Sequence, residues 1–162
     1  MNDSILAPAA RRVQQALNRQ GFALEVRKFP ASTRTAEEAA AAIGCHVAQI
    51  AKSLIFRLQE TDRPLLAVVS GVNRADEKKL AALVGSSLRR ADADFVRART
   101  GFAIGGVPPL AHLEPPLTFL DSDLQKHEEI WAAAGTPNSV FRLEPQQLAR
   151  LTGGEFVDLR QD

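Results

Sequence analysis

A lysine inside an apolar run is the first residue whose type invites chemistry. Lys52 interrupts Ile50-Ala51-Lys52-Ser53-Leu54-Ile55-Phe56. An ammonium withdrawn from water is costly unless a negative group meets it, and lysine is among the residues least often fully buried. Two readings are open. Strand alternation would put Lys52 on a wet face. Alternatively it stands at the mouth of a pocket, gripping a phosphate or carboxylate as a point charge.

The second candidate is the loop Thr100-Gly101-Phe102-Ala103-Ile104-Gly105-Gly106-Val107-Pro108-Pro109. Glycine permits backbone conformations and close approaches that side chains forbid, and two prolines restrict the loop's exit. A rigid loop with outward N–H groups can hold an oxyanion or a phosphate; an ordinary Gly-Pro turn is the alternative. No Gly-Lys-Ser/Thr follows, so it is not a Walker loop, and the G-x-G-x-x-G spacing of a dinucleotide site is absent. His46, His112 and His127 show no metal-ligand spacing, so a structural zinc site is not expected. His112 stands out because it follows the glycine loop. Cys45 is the only cysteine and reads as a small core residue. Asp121-Ser122-Asp123 reads as a cap or turn.

The elements that must position these residues follow from periodicity and punctuation. Residues 8–18 fit an amphipathic helix stopped near Gly21. Alternation over residues 22–29 predicts a strand with one wet face. Thr35 and Glu38 have capping-box spacing before an alanine-rich helix that Gly44 ends. Strands are expected over residues 50–58, 65–70 (buried), 117–120 and 156–159. Further helices are expected over residues 76–84, 92–99 with Asp92 or Asp94 as cap, and 145–151 opened by Pro145. Residues 129–134 and 139–143 are apolar runs around the turn Gly135-Thr136-Pro137-Asn138. Strands and helices mix without strict alternation, which predicts an α+β fold: one domain over residues 1–162, a mixed or antiparallel sheet with surrounding helices.

Composition supports a globular chain of one domain's length. The 162 residues are 45% hydrophobic and 24% charged, with 20 basic and 19 acidic side chains. A net charge of +1 argues against a polybasic coat for nucleic acid, though not against a grip on one end of it. Met1-Asn2-Asp3-Ser4 does not open a signal peptide, and no apolar run approaches the ~20 residues that span a bilayer. A cytoplasmic protein without membrane contact is the expectation.

In order and spacing, four stretches resemble the YbaK/ProX family, which includes the editing domain of bacterial prolyl-tRNA synthetases. They are Ile50-Ala51-Lys52-Ser53-Leu54; Arg99-Thr100-Gly101 leading into Gly105-Gly106-Val107-Pro108-Pro109-Leu110, a G-x-x-x-P loop; residues 130–143; and residues 148–158. The resemblance implies hydrolysis of the ester joining a small wrong amino acid to the terminal adenosine of tRNA, often tRNA for proline. No cofactor or metal is implied. Lys52 would hold the terminal phosphate. N–H groups around Gly105, Gly106 and Val107 would polarise the ester carbonyl, and the tRNA's own ribose hydroxyl would activate the water. Gly101, Pro108, Pro109, His112, Gly135, Thr136, Asn138 and Ser139 are the further substrate-binding candidates. The partner implied is the acceptor end of aminoacyl-tRNA, with a prolyl-tRNA synthetase or other translation factor as a second. A non-catalytic tRNA-end or nucleotide-binding module on the same fold is the competing reading. The family's cysteinyl branch carries serine and aspartate where Ala133 and Val140 stand, so a cysteinyl preference is not implied.

Overall fold

Polar caps and terminal glycines set most element boundaries. The computed structural model describes residues 6–162, so the reading of Met1 to Ser4 lies outside the described residues. The chain runs through α1 (Pro8–Arg19), β1 (Val26–Lys28), α2 (Ala36–Ile43), β2 (Ile50–Leu58), β3 (Pro64–Ser70), α3 (Glu77–Val84) and β4 (Leu88–Arg90). It continues through α4 (Ala93–Thr100), β5 (Leu117–Asp121), β6 (Ile130–Ala133), β7 (Ser139–Leu143), α5 (Pro145–Thr152) and β8 (Glu155–Val157). The Thr35 hydroxyl accepts from the Glu38 N–H at 3.1 Å, and Asp76 and Asp92 do the same for α3 and α4. Of the two candidate caps for α4, Asp92 is the one used. Satisfying these otherwise orphaned N–H groups stabilises each helix by about 1 kcal/mol.

The strands form one mixed sheet in the order β1-β7-β6-β2-β3-β5-β8, with β4 attached to β2. β3 is paired on both edges and buried along its whole length. That is why residues 65–70 read as an unbroken apolar run rather than an alternating one. One face of the sheet carries the largest cluster, including Val13 and Leu17 of α1, Val96 of α4 and Leu148 of α5. The other face divides in two. α2 closes a cluster around Ile50, Trp131 and Val140. Leu80 of α3 closes another around Leu65, Ala67, Leu54 and Phe56. The result is the α+β fold the sequence predicts. Among the described residues, no helix is long and apolar enough to cross a membrane.

The last strand is β8 at Glu155–Val157 rather than residues 156–159, and two elements differ more from expectation. Strand pairing begins at Val26 rather than at residue 22, because Gln14 of α1 takes the preceding main-chain groups. Its amide donates to the Leu24 carbonyl at 2.9 Å, and its oxygen accepts from the Val26 N–H at 2.7 Å. β4 is three residues, two of them arginine, and carries no periodic signal. It exists because β2 offers it an edge at Phe56, Arg57 and Leu58.

Candidate active site

Lys52 stands where the two clusters of one sheet face part. Ile50 beside it belongs to the cluster under α2, and Leu54 to the cluster under α3. Between the helices lies a cavity of about 690 Å³, and Lys52 is on its wall. Its half-buried ammonium makes no hydrogen bond or ion pair among the described residues. Burial holds its pKa below the ordinary lysine range; Glu37 is the largest charge opposing that shift, Arg74 adds to it, and Asp121 opposes it. Lys52 is therefore neither a freely wet lysine nor a paired one.

The cavity opens at a break in the sheet. β6 pairs with β2 only at Ile50 and Ala51, and β4 only at Phe56 to Leu58. Between them Lys52, Ser53, Leu54 and Ile55 have β3 on one side and no strand on the other. The Ile50 carbonyl and the Leu58 N–H are both bonded toward the β3 side, at 2.8 and 2.9 Å. Antiparallel alternation then turns the N–H and C=O of Ser53 into the gap. The Ser53 hydroxyl is buried and without a hydrogen-bond partner among the described residues, as is the indole N–H of Trp131; both residues line the cavity. Unsatisfied buried polar groups are rare enough to be informative.

The far wall is small and apolar. Ala133 faces Val140 across the β6–β7 pair, and Trp131 and Ala39 complete the recess. The mouth is basic: Arg34 and Arg90 are exposed on the wall, and Arg34 lies directly over Gly105. A Cβ at Gly105 would come within 2.9 Å of the Arg34 side chain, and its φ of +100° also favours glycine.

Of the glycine loop, Ile104, Gly105 and Val107 reach the cavity. Gly106 faces away. Its N–H donates to Ala103 at 3.1 Å, and its carbonyl accepts from the Gly135 N–H at 2.8 Å. Gly101, Pro108, Pro109 and His112 lie outside the cavity wall, and contacts at Gly101 and Pro108 brace the loop from behind. Arg12 donates to the Gly101 carbonyl at 2.6 Å. His112 Nε2 sits 2.6 Å from the Pro108 carbonyl, which only accepts, so Nε2 carries the proton. Burial lowers the His112 pKa, opposed by that bond. Gly135, Thr136, Asn138 and Ser139 are also off the cavity wall. They form the β6–β7 turn, where the Thr136 hydroxyl bonds Ser139 at 2.6 Å and Asn138 at 3.0 Å. This turn supports two cavity walls at once, the glycine loop through Gly106 and the approach to α2 through Thr33, whose N–H donates to Pro137 at 2.6 Å.

Sequence reasoning missed Ser53, Trp131, Arg34 and Glu37 as cavity residues. Trp131 and Ser53 sit in runs that read simply as strands, and the two charged residues sit beside a helix cap. Ala133 and Val140 were legible only through the family resemblance. Among the described residues no cluster of His, Cys, Asp and Glu could hold a metal ion.

The site is thus a cavity at a gap along one side of β2, with Lys52 and the glycine loop beside a small apolar recess. The chain belongs to the aminoacyl-tRNA editing domain family, whose model matches residues 30–151. It is 34% identical to the uncharacterized protein YwhH of Bacillus subtilis, over 85% of this chain and 88% of that one. It is 29% identical to EbsC of Enterococcus faecalis, a candidate deacylase of Cys-tRNA(Pro) and Cys-tRNA(Cys), over 77% and 76%. A crystal structure of a candidate trans-editing enzyme for prolyl-tRNA synthetase superposes with a TM-score of 0.92 at 51% identity, covering 97% of this chain and 99% of that one.

Proposed function

We propose that this protein deacylates tRNA for proline that carries a small wrong amino acid: alanine, serine or 2-aminobutyrate. The observation that carries the reading is the unpaired Lys52 ammonium beside a recess walled by Ala133 and Val140. The ammonium suits the terminal phosphate, and the recess suits a side chain of one or two carbons. The family and the structural neighbour support the editing reaction and the tRNA. Two apolar residues at the positions where the cysteinyl branch carries serine and aspartate favour a substrate other than cysteine.

In this reading Lys52 fixes the terminal nucleotide and the N–H groups of Gly105 and Val107 face the ester carbonyl. Gly106, whose N–H is already bonded, docks the loop instead. The tRNA's ribose hydroxyl activates the water. Attack on the carbonyl releases free amino acid and intact tRNA. An aminoacyl ester is already activated, so positioning and oxyanion stabilisation supply much of the rate without a side-chain triad. The reaction belongs to the cytoplasm, with prolyl-tRNA synthetase as the source of the error.

The test is a screen in which tRNA for proline, charged separately with alanine, serine, 2-aminobutyrate, cysteine and proline, is incubated with the purified protein and amino-acid release is followed. Release from one or more of the first three, with proline and cysteine spared, is expected. Salt-dependent tRNA binding with no release from any ester would replace the reading with that of a binding module.

A further inference from the structure

The cavity carries charges of both signs, and the deacylation reading employs only the positive ones. Glu37 lies in the first turn of α2, on the cavity wall. Its neighbour Glu38 is held by the Thr35 cap at 3.0 Å. Glu37 itself makes no hydrogen bond or ion pair among the described residues. Lys52 feels its charge more than any other that favours the protonated ammonium, yet the two do not close into an ion pair. An unengaged carboxylate and an unengaged ammonium thus share one cavity.

An aminoacyl ester presents the matching pair: a phosphate at the nucleotide end and an α-ammonium beside the side chain. We propose that Glu37 receives the α-ammonium of the bound aminoacyl group, which makes the free amine a requirement of the substrate. The inference rests on the deacylation reading. Its geometry follows from covalent structure. The ammonium and the side chain branch from one carbon, so a side chain seated in the Trp131, Ala133 and Val140 recess keeps the ammonium within a few ångströms of that recess, and α2, which carries Glu37, is the helix that closes its cluster. Lys52 and Arg34 repel it, and Glu37 is the carboxylate that α2 presents to the cavity. The other carboxylate on the wall, Glu77, opens α3, which closes the cluster on the far side of Lys52. Hydrogen bonds between charged partners are worth enough to make this contact a selectivity device.

The experiment compares the best substrate of the screen with its α-hydroxy counterpart; for alanine these are alanyl-tRNA and lactyl-tRNA, made from it by deamination. Size and ester are kept, and the ammonium is lost. Wild type, Glu37→Gln and Glu37→Asp are measured, each rate corrected for spontaneous hydrolysis. Thermal melts confirm folding, which the exposed Glu37 side chain does not govern. Wild type is expected to prefer the amino ester about 10- to 100-fold in kcat/KM, and Glu37→Gln to lose most of that preference through the amino ester alone. Glu37→Asp retains part of it. Equal wild-type rates on the two esters, or an undiminished preference in Glu37→Gln, overturn the role of Glu37 while leaving deacylation standing. Failure of wild type to hydrolyse any aminoacyl ester sinks deacylation and this inference together.

Discussion

Replacing Gly106 with alanine tests whether the glycine loop is held in place by the β6–β7 turn. A Cβ built on Gly106 would sit 2.9 Å from Gly135 C, Thr136 C and Thr136 N, all main-chain atoms that no rotamer change can move. Gly106 is not among the glycines with positive φ, so the penalty is contact alone. Restoring ordinary contact requires the loop and turn to separate by about 0.5 Å or more, since packed carbons sit near ~3.5 Å. That separation strains the 2.8 Å bond from the Gly135 N–H to the Gly106 carbonyl. Overpacking costs about 1–3 kcal/mol and a weakened hydrogen bond about 1 kcal/mol, together roughly 3 kcal/mol. For a chain of this size the melting temperature should fall by about 6–12 °C. Gly105 and Val107 move with Gly106, and small displacements of positioning groups are expensive in rate, so kcat/KM should drop at least about tenfold at a temperature where the variant is fully folded. Circular dichroism melts and single-turnover deacylation give the two readouts. A variant with wild-type melting temperature and wild-type kcat/KM would refute the idea that the turn docks the loop.

Three further outcomes follow from the same geometry. Lys52→Met should abolish deacylation yet modestly raise stability at neutral pH, because it removes a half-buried unpaired ammonium whose cost solvent partly screens. The lysine's lowered pKa costs stability wherever the unfolded chain is protonated, so the gain should fade as pH approaches ~10.4; a destabilised Lys52→Met protein would contradict this. His112 is held neutral by burial, and its contribution to stability is complete above the unfolded value of ~6.5 and lost as pH falls below it, by up to about 1.4 kcal/mol per pH unit. The pH 5.5–7 stability difference should therefore be smaller in His112→Gln than in wild type, as measured by urea unfolding at each pH; parallel curves would contradict it. Ala133→Val narrows the recess, and each excluded methylene is worth about 1–3 kcal/mol, so 2-aminobutyrate release should fall roughly tenfold more than alanine release; equal losses would place the side chain elsewhere.

Much of the scaffold is legible in the residue order alone. Thr35, Asp76 and Asp92 are short polar residues ahead of helical runs, and Gly44, Gly85 and Gly101 follow those runs in left-handed conformation. β2 falls on residues 50–58 as expected, and the apolar run over residues 139–143 is β7. The shortened β1 is not legible there, because it depends on Gln14 reaching across from α1. The site is legible only as two suspects, Lys52 and the glycine loop, each with an ordinary reading beside the functional one. Glu37 and Trp131 give no local signal, since a carboxylate in a first helical turn and a tryptophan in a strand are commonplace.

Caps, periods and turn residues are local properties, decided within a few positions of the chain. In this protein they set the helix limits, the buried β3 and the rigid Gly-Pro loop. Register between distant strands is not local. Folding in three dimensions put β6 and β4 on the same edge of β2, opening a gap beside Lys52. It also turned Gly106 toward the β6–β7 turn and Gly105 toward the cavity. A pocket is the space left by elements that pack, and its shape and charge depend on which faces meet.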